Sequence, residues 1–206
     1  MTGMTSYRAA FGLLGLSSVA IEVWTLHERG TLQLGNFLSY FTVESNLFAG
    51  VVLLAGGLLT HEPAVLAFLR GAATLYLTIT GLVFSLLLAG LEGVEFTAVP
   101  WDNLVLHYVM PAMIALDWLL APPRIRIAAT VGLTWLAFPL AYVVCSLIRG
   151  HVTHWYPYPF LDPAVHGYTG VLQSSIGIAL TAAALVWVVT RLSGRLRWLG
   201  RDRAPA

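Results

Sequence analysis

Six runs of about 18–25 mostly apolar residues recur along this chain, each the length an α-helix needs to cross a bilayer. They are Arg8–Leu26, Asn36–Leu59, Ala72–Gly90, Asn103–Ala121, Ile127–Ile148 and Tyr168–Thr190. In hydrocarbon every backbone N–H and C=O must be bonded within the protein, which leaves only helices and closed barrels. The strict alternation of a barrel strand is absent. The composition agrees, at 58% hydrophobic and 10% charged, far below the charge content of an ordinary soluble domain. The expected fold is therefore all-α, an integral membrane bundle of six transmembrane helices. Residues 1–206 should form one domain, with 191–206 a basic cytoplasmic tail.

The eleven basic residues are all Arg, and a six-span path sorts them unevenly. Arg8, Arg70, Arg124, Arg126 and the tail residues Arg191, Arg195, Arg197, Arg201 and Arg203 fall on one side. Arg29 and Arg149 fall on the other, with Glu28, Glu92, Glu95, Asp102 and Asp162. Cytoplasmic loops carry the excess of positive charge, so both termini are expected in the cytoplasm of a multi-pass cell-membrane protein. The tail then reads as an anchor on anionic lipid, and no nucleic-acid partner is expected. Ser18-Val19-Ala20 has the small-residue character of a signal-peptide cleavage site. The apolar helix continues through Ile21, Val23, Trp24 and Leu26, so the segment is read as the first span. Cys145 is the single cysteine, which excludes an intrachain disulfide and a cysteine-based metal site.

Two loops on the outer side are long enough to matter. The third, Leu91 to Trp101, is acidic; the fifth, Gly150 to Gly167, alternates prolines with aromatics from Trp155 to Leu161. Such a loop makes poor helix. It is read either as an interfacial anchor, since Trp and Tyr favour the headgroup layer, or as a lid over a pocket, with Tyr158 and Asp162 as pocket or lid residues. Gly56-Gly57 and Gly71 are read as close helix packing and Pro139 as a kink.

The chemistry lies in a polar cluster within the second run, Thr42, Glu44, Ser45 and Asn46. A charged residue at mid-helix costs about 2.5–3.5 kcal/mol on insertion scales, so such groups turn toward a protein interior or a wet cavity. Ser39, Thr42, Ser45 and Asn46 follow a spacing of three and four and share a face. Glu44 lies about 200° around from Thr42 at 100° per residue, so it should face a different neighbour. On the fourth run Asn103 and His107 share a face, while Asp117 is roughly 15 Å further along the axis. Thr42 and His107 both fall about 8–9 Å below the outer boundary and can meet if their helices are neighbours.

A hydroxyl needs a base within hydrogen-bond reach and donors for the developing oxyanion. Thr42 as nucleophile and His107 as base fit that need, with Ser45, Asn46 or Asn103 as oxyanion or pocket groups and Glu44 as a pocket group. A site at headgroup depth suits a lipid ester whose tails stay in the membrane. Other readings stay open on the residues alone. Membrane-helix Thr commonly bonds its own backbone and intramembrane His commonly bridges helices. Glu22, Glu44 and His107 are a metal set without diagnostic spacing, and neither metal nor cofactor is expected. The same pocket could belong to a lipid-binding protein without activity, or to a transporter, for which no repeat is visible.

Three segments carry a resemblance. Tyr40-Phe41-Thr42-Val43-Glu44-Ser45-Asn46, then Leu106-His107-Tyr108-Val109-Met110-Pro111 with Asp117-Trp118, then Trp155-Tyr156-Pro157-Tyr158-Pro159-Phe160-Leu161 resemble the androgen-induced and androgen-dependent TFPI-regulating protein family, and its small bacterial six-pass relatives most closely. The resemblance implies a membrane threonine hydrolase of fatty acid esters of hydroxy fatty acids, with Thr42 as nucleophile and His107 as catalytic histidine. Its partners would be a lipid-ester substrate and membrane lipids.

The topology is testable first. In a Cys145→Ala background, a cysteine in the proline-aromatic loop should react with an impermeant maleimide added outside intact cells. Labelling of that cysteine only from the cytoplasmic side would reverse the orientation.

Overall fold

The computed structural model describes residues 3–59, 61–91 and 95–194. Among them are six helices long and apolar enough to cross a membrane: α1 (Gly3–Glu28), α2 (Phe41–Leu58), α3 (Ala64–Leu88), α4 (Pro100–Leu120), α5 (Ala129–Thr153) and α6 (Pro163–Leu192). No strand occurs among the described residues. The chain is an all-α, multi-pass membrane protein. The starts of α1, α3 and α5 share one end of the bundle with the ends of α2, α4 and α6, here the tail end; the opposite end is the loop end. The tail arginines from Arg195 onward and Glu92 lie outside the described residues.

Close approach is written into glycines. A Cβ on Gly12 of α1 would stand 2.7 Å from the Leu54 nitrogen of α2, nearer than side chains come to backbone. Glycine there lets α1 lie along α2, the most extensive helix pair in the bundle. Beyond it α2 packs on α3, and α3 on both α4 and α6. Helices α2 and α3 are the most buried of the six, α5 and α6 the least. α5 meets α6 mainly through its first turns, Ala129–Leu136.

Two prolines reshape their helices through the N–H that proline lacks. Pro139 cannot bond the Trp135 carbonyl four residues back. The helix passes through a 3₁₀ turn at Leu133–Leu136, and the Trp135 carbonyl accepts instead from the Tyr76 hydroxyl at 2.9 Å. Pro111 has a counterpart effect in α4, which widens to a π turn at Val105–Val109 with the Met110 N–H on the Val105 carbonyl. In that register the Leu106 carbonyl falls to Pro111, which has nothing to donate. It accepts from Asn46 Nδ2 of α2 at 3.2 Å.

The structure moves several boundaries. α2 begins at Phe41, after a separate turn at Leu34–Phe37, so the polar cluster opens the helix and is not embedded within it. α3 begins at Ala64, which places Arg70 inside a helix and fully buried, not in a loop. α6 contains a non-helical Gly167 with φ 64°, so the regular part starts at Tyr168. Arg70 is tolerated because acids surround it. Its Nη1 meets Glu62 Oε1 at 2.5 Å and its Nε meets Asp117 Oδ2 at 3.0 Å. Asp117 also takes Arg8 Nε at 2.6 Å. The Arg70 Nη2 donates to the Ala121 carbonyl at 2.7 Å, and the guanidinium lies 5.4 Å from the centre of the Trp118 ring.

Removing one member of such a network leaves an uncompensated buried charge, which typically costs about 3–5 kcal/mol. Asp117→Ala should therefore lower the unfolding temperature in detergent sharply. The double change Asp117→Leu with Arg70→Met should recover part of the loss, since Arg8 and the more exposed Glu62 still lose these partners. Equal losses in the single and double variants would show that the charges themselves are not what the pair supplies.

Candidate functional site

Thr42 sits in the first turn of α2, where backbone N–H groups have no partner within the helix. The cap residue Tyr40 offers no side-chain bond. The Tyr158 hydroxyl, delivered by the loop between α5 and α6, accepts from the Thr42 N–H at 3.2 Å. It also stands 3.3 Å from Thr42 Oγ1. Tyr158 is held by rings on either side, stacked on Phe160 at 5.2 Å and edge-on to Tyr40 at 5.7 Å. Burial pushes its phenol up to about 12, against the lowering pull of its two contacts with Thr42. It stays protonated at neutral pH.

His107 lies in the widened turn of α4, and its Nε2 is 3.2 Å from Thr42 Oγ1. Its Nδ1 is 3.1 Å from the Asn103 carbonyl. A carbonyl only accepts, so in the neutral ring Nδ1 carries the hydrogen and Nε2 presents a lone pair to the threonine hydroxyl. The ring lies against Phe84 of α3, with centroids 3.9 Å apart and planes 22° from parallel. α3 can approach here because Gly81 has no side chain, since a Cβ would stand 2.9 Å from Pro111 Cβ. Phe84 itself opens a second π turn, Phe84–Leu88. Thr42, His107 and Tyr158 are each less than a tenth exposed.

Two cavities of about 280 Å³ each meet at this wall. A polar vestibule at the loop end is lined by Glu22, Arg29, Glu95, Thr97 and Ala98 together with Thr42, His107 and Tyr158. An apolar cavity runs between α2, α3, α5 and α6, and it also touches Thr42 and Tyr158. The vestibule wall is fixed by Glu22, which accepts from the Ala98 and Val99 N–H groups just before α4.

The other sequence candidates take different places. Ser45 lies 3.2 Å from the Thr42 carbonyl and 3.0 Å from Thr80 Oγ1. Asn46 Nδ2 donates to the Thr42 carbonyl at 2.8 Å as well as to Leu106. Neither lines either cavity, so both buttress the threonine from behind. Asn103 contributes its backbone carbonyl. Glu44 faces α5 in a separate pocket with Tyr142, Ser146 and Arg149. Asp162 caps α6, accepting from the Ala164 N–H at 2.8 Å, and lines neither cavity. The set Glu22, Glu44 and His107 is not brought together, and no cluster of three or more His, Cys, Asp or Glu suited to a metal occurs among the described residues. The hydroxyl role of Tyr158 had no signal in spacing, because a loop delivers it across 116 positions.

Comparison of the chain with protein-family models, curated proteins and solved structures finds no match.

Asn46→Ala should weaken the join between α2 and α4, since it leaves the buried Leu106 carbonyl without its donor, while Ser45 still serves the Thr42 carbonyl. An unsatisfied acceptor costs about 1–3 kcal/mol at most, read as a fall in unfolding temperature in detergent. An unchanged temperature would mean the amide carries none of that join.

Proposed function

We propose that this chain is an intramembrane lipid-ester hydrolase with a Thr42 nucleophile and a His107 base. The observation that carries the reading is the Thr42 Oγ1 to His107 Nε2 contact at 3.2 Å, on a wall shared by a polar and an apolar cavity. The resemblance of the three sequence segments to threonine hydrolases of fatty acid esters of hydroxy fatty acids supports the same class of substrate. The arginine asymmetry supports an orientation with both termini cytoplasmic, which turns the vestibule to the outside and to water.

Thr42 Oγ attacks the ester carbonyl carbon as its proton passes to His107 Nε2. The carbonyl electron pair moves onto oxygen, and the Tyr158 O–H, which donates to Thr42 Oγ1 while the threonine hydrogen points to His107, can turn to donate to it. The positive end of α2 lies at the same point and favours the negative charge. Collapse of the tetrahedral species breaks the bond to the leaving alcohol, which takes the proton from His107. Water from the vestibule then attacks the acyl-threonine and gives a proton to His107, and collapse breaks the bond to Thr42 Oγ, which takes that proton back as the acid leaves. The widened turn of α4 and the Phe84 stack hold the imidazole in line for both halves.

A fluorophosphonate probe should label wild-type protein at Thr42, and Thr42→Ala and His107→Ala should each abolish ester turnover while unfolding normally. The double variant should lose little beyond either single change, as members of one nucleophile–base unit do. Glu44→Gln should stay within about tenfold of wild type. Saturable ester binding without turnover in the wild type would make the protein a lipid binder.

Tyr158→Phe removes one oxyanion donor and keeps the ring packing. It should lower the rate constant for turnover by about 10²–10³ with little change in KM. Unchanged turnover would remove Tyr158 from the reaction.

A further inference from the structure

We infer that the apolar cavity is the acyl-chain site and that it fills sideways from the bilayer, through the gap between α5 and α6. This rests on the hydrolase reading for the position of the ester, though the binding site itself does not depend on turnover.

The two sides of the Thr42–Tyr158 wall differ in kind. The vestibule carries Glu22, Arg29 and Glu95, whereas the apolar cavity is walled chiefly by aliphatic and aromatic groups and by no charged residue. The vestibule also presents Leu26, Phe37 and Phe96, but only the apolar cavity offers an ester at Thr42 a direction free of charge for a hydrocarbon tail. The lining on α6 runs from Ser175 to Ala182 and on α5 from Leu136 to Val144, which is about 10–12 Å at 1.5 Å per residue. An extended chain advances about 1.2 Å per bond, so roughly nine or ten carbons fit before the buried Trp135 and Val186 close the tail end.

The cavity is open on one flank. Leu140 and Val144 of α5 line it and are yet 54% and 55% exposed. A residue can do both only at the rim of an opening. α5 meets α6 mainly through Ala129–Leu136, so the two helices part toward the loop end, at the level of the bilayer. A lipid tail can pass there without leaving hydrocarbon, whereas the vestibule route would expose it to charge and water.

Ala179 of α6 stands on this lining and is half-buried. Ala179→Trp should obstruct the tail path and lower the laurate-to-butyrate turnover ratio, measured with para-nitrophenyl esters, by about tenfold or more, the scale on which a few methylenes are discriminated. Ala182→Leu, nearer the tail end, should lower the same ratio less. Independently, photoactivated diazirine-palmitic acid should label peptides of α5 and α6 in the Thr42→Ala protein, and excess oleic acid should compete. Unchanged ratios in both variants, or labelling confined to α1 and the Phe96–Ala98 segment, would overturn the inference. If wild type turns over neither ester, the hydrolase reading fails and the labelling map alone decides the site. If a variant does not fold, as its unfolding curve shows, the labelling map decides as well.

Discussion

A helix in hydrocarbon has no water to receive an unpaired carbonyl, and proline creates such carbonyls. Much of this bundle's specific geometry follows from where Pro111 and Pro139 leave theirs. The Trp135 carbonyl draws the Tyr76 hydroxyl of α3. The Leu106 carbonyl draws the Asn46 amide of α2, which also holds the Thr42 carbonyl. One side chain thus ties the turn carrying the threonine to the turn carrying the histidine. The widening of α4 that moves the orphan carbonyl also sets the height of His107 against Phe84 and Thr42. Positioning at the site is a by-product of backbone satisfaction.

Around that point the bundle divides its labour unevenly. α1 to α4 form the tight part, with α1 laid on α2 through glycines and α3 at the centre. α5 and α6 are held more loosely and leave an apolar space before α3. Rigid helices carry the polar groups, and less buried ones carry the greasy wall. The Tyr158 loop bridges the two parts, with its phenol at the start of α2 and the ring packed on Phe160.

Hydropathy and helix geometry made a good deal of this legible. The six apolar runs correspond to the six helices, and the count of turns from the loop end placed Thr42 and His107 level with each other. The 100° rule turned Glu44 away from the threonine, and it does face α5. What stayed hidden depends on contacts between segments far apart in sequence. Ser45 and Asn46 share the threonine's stripe and read as donors for a substrate, yet the neighbouring carbonyls and Thr80 occupy them. Tyr158 reads as an interfacial anchor or a lid residue, and nothing local says that its hydroxyl reaches the first turn of α2. Arg70 reads as a loop charge because a window of hydropathy stops at it. Only the acids arriving from α4 and the α2–α3 turn make it a helix residue.

That buried arginine has a consequence for biogenesis. An isolated α3 presents Arg70 to the translocon, and an isolated α4 presents Asp117, each at a cost of about 2.5–3.5 kcal/mol if carried to mid-membrane. Together they enter as a neutral pair, with Arg8 of α1 already waiting on the same carboxylate's other oxygen. The order of the chain suits this, for α1 is threaded before either partner and α4 is the span that follows α3. The ion-pair cluster thus favours membrane entry of α3 and α4 as a hairpin, and it makes correct partitioning of one span conditional on the arrival of the next.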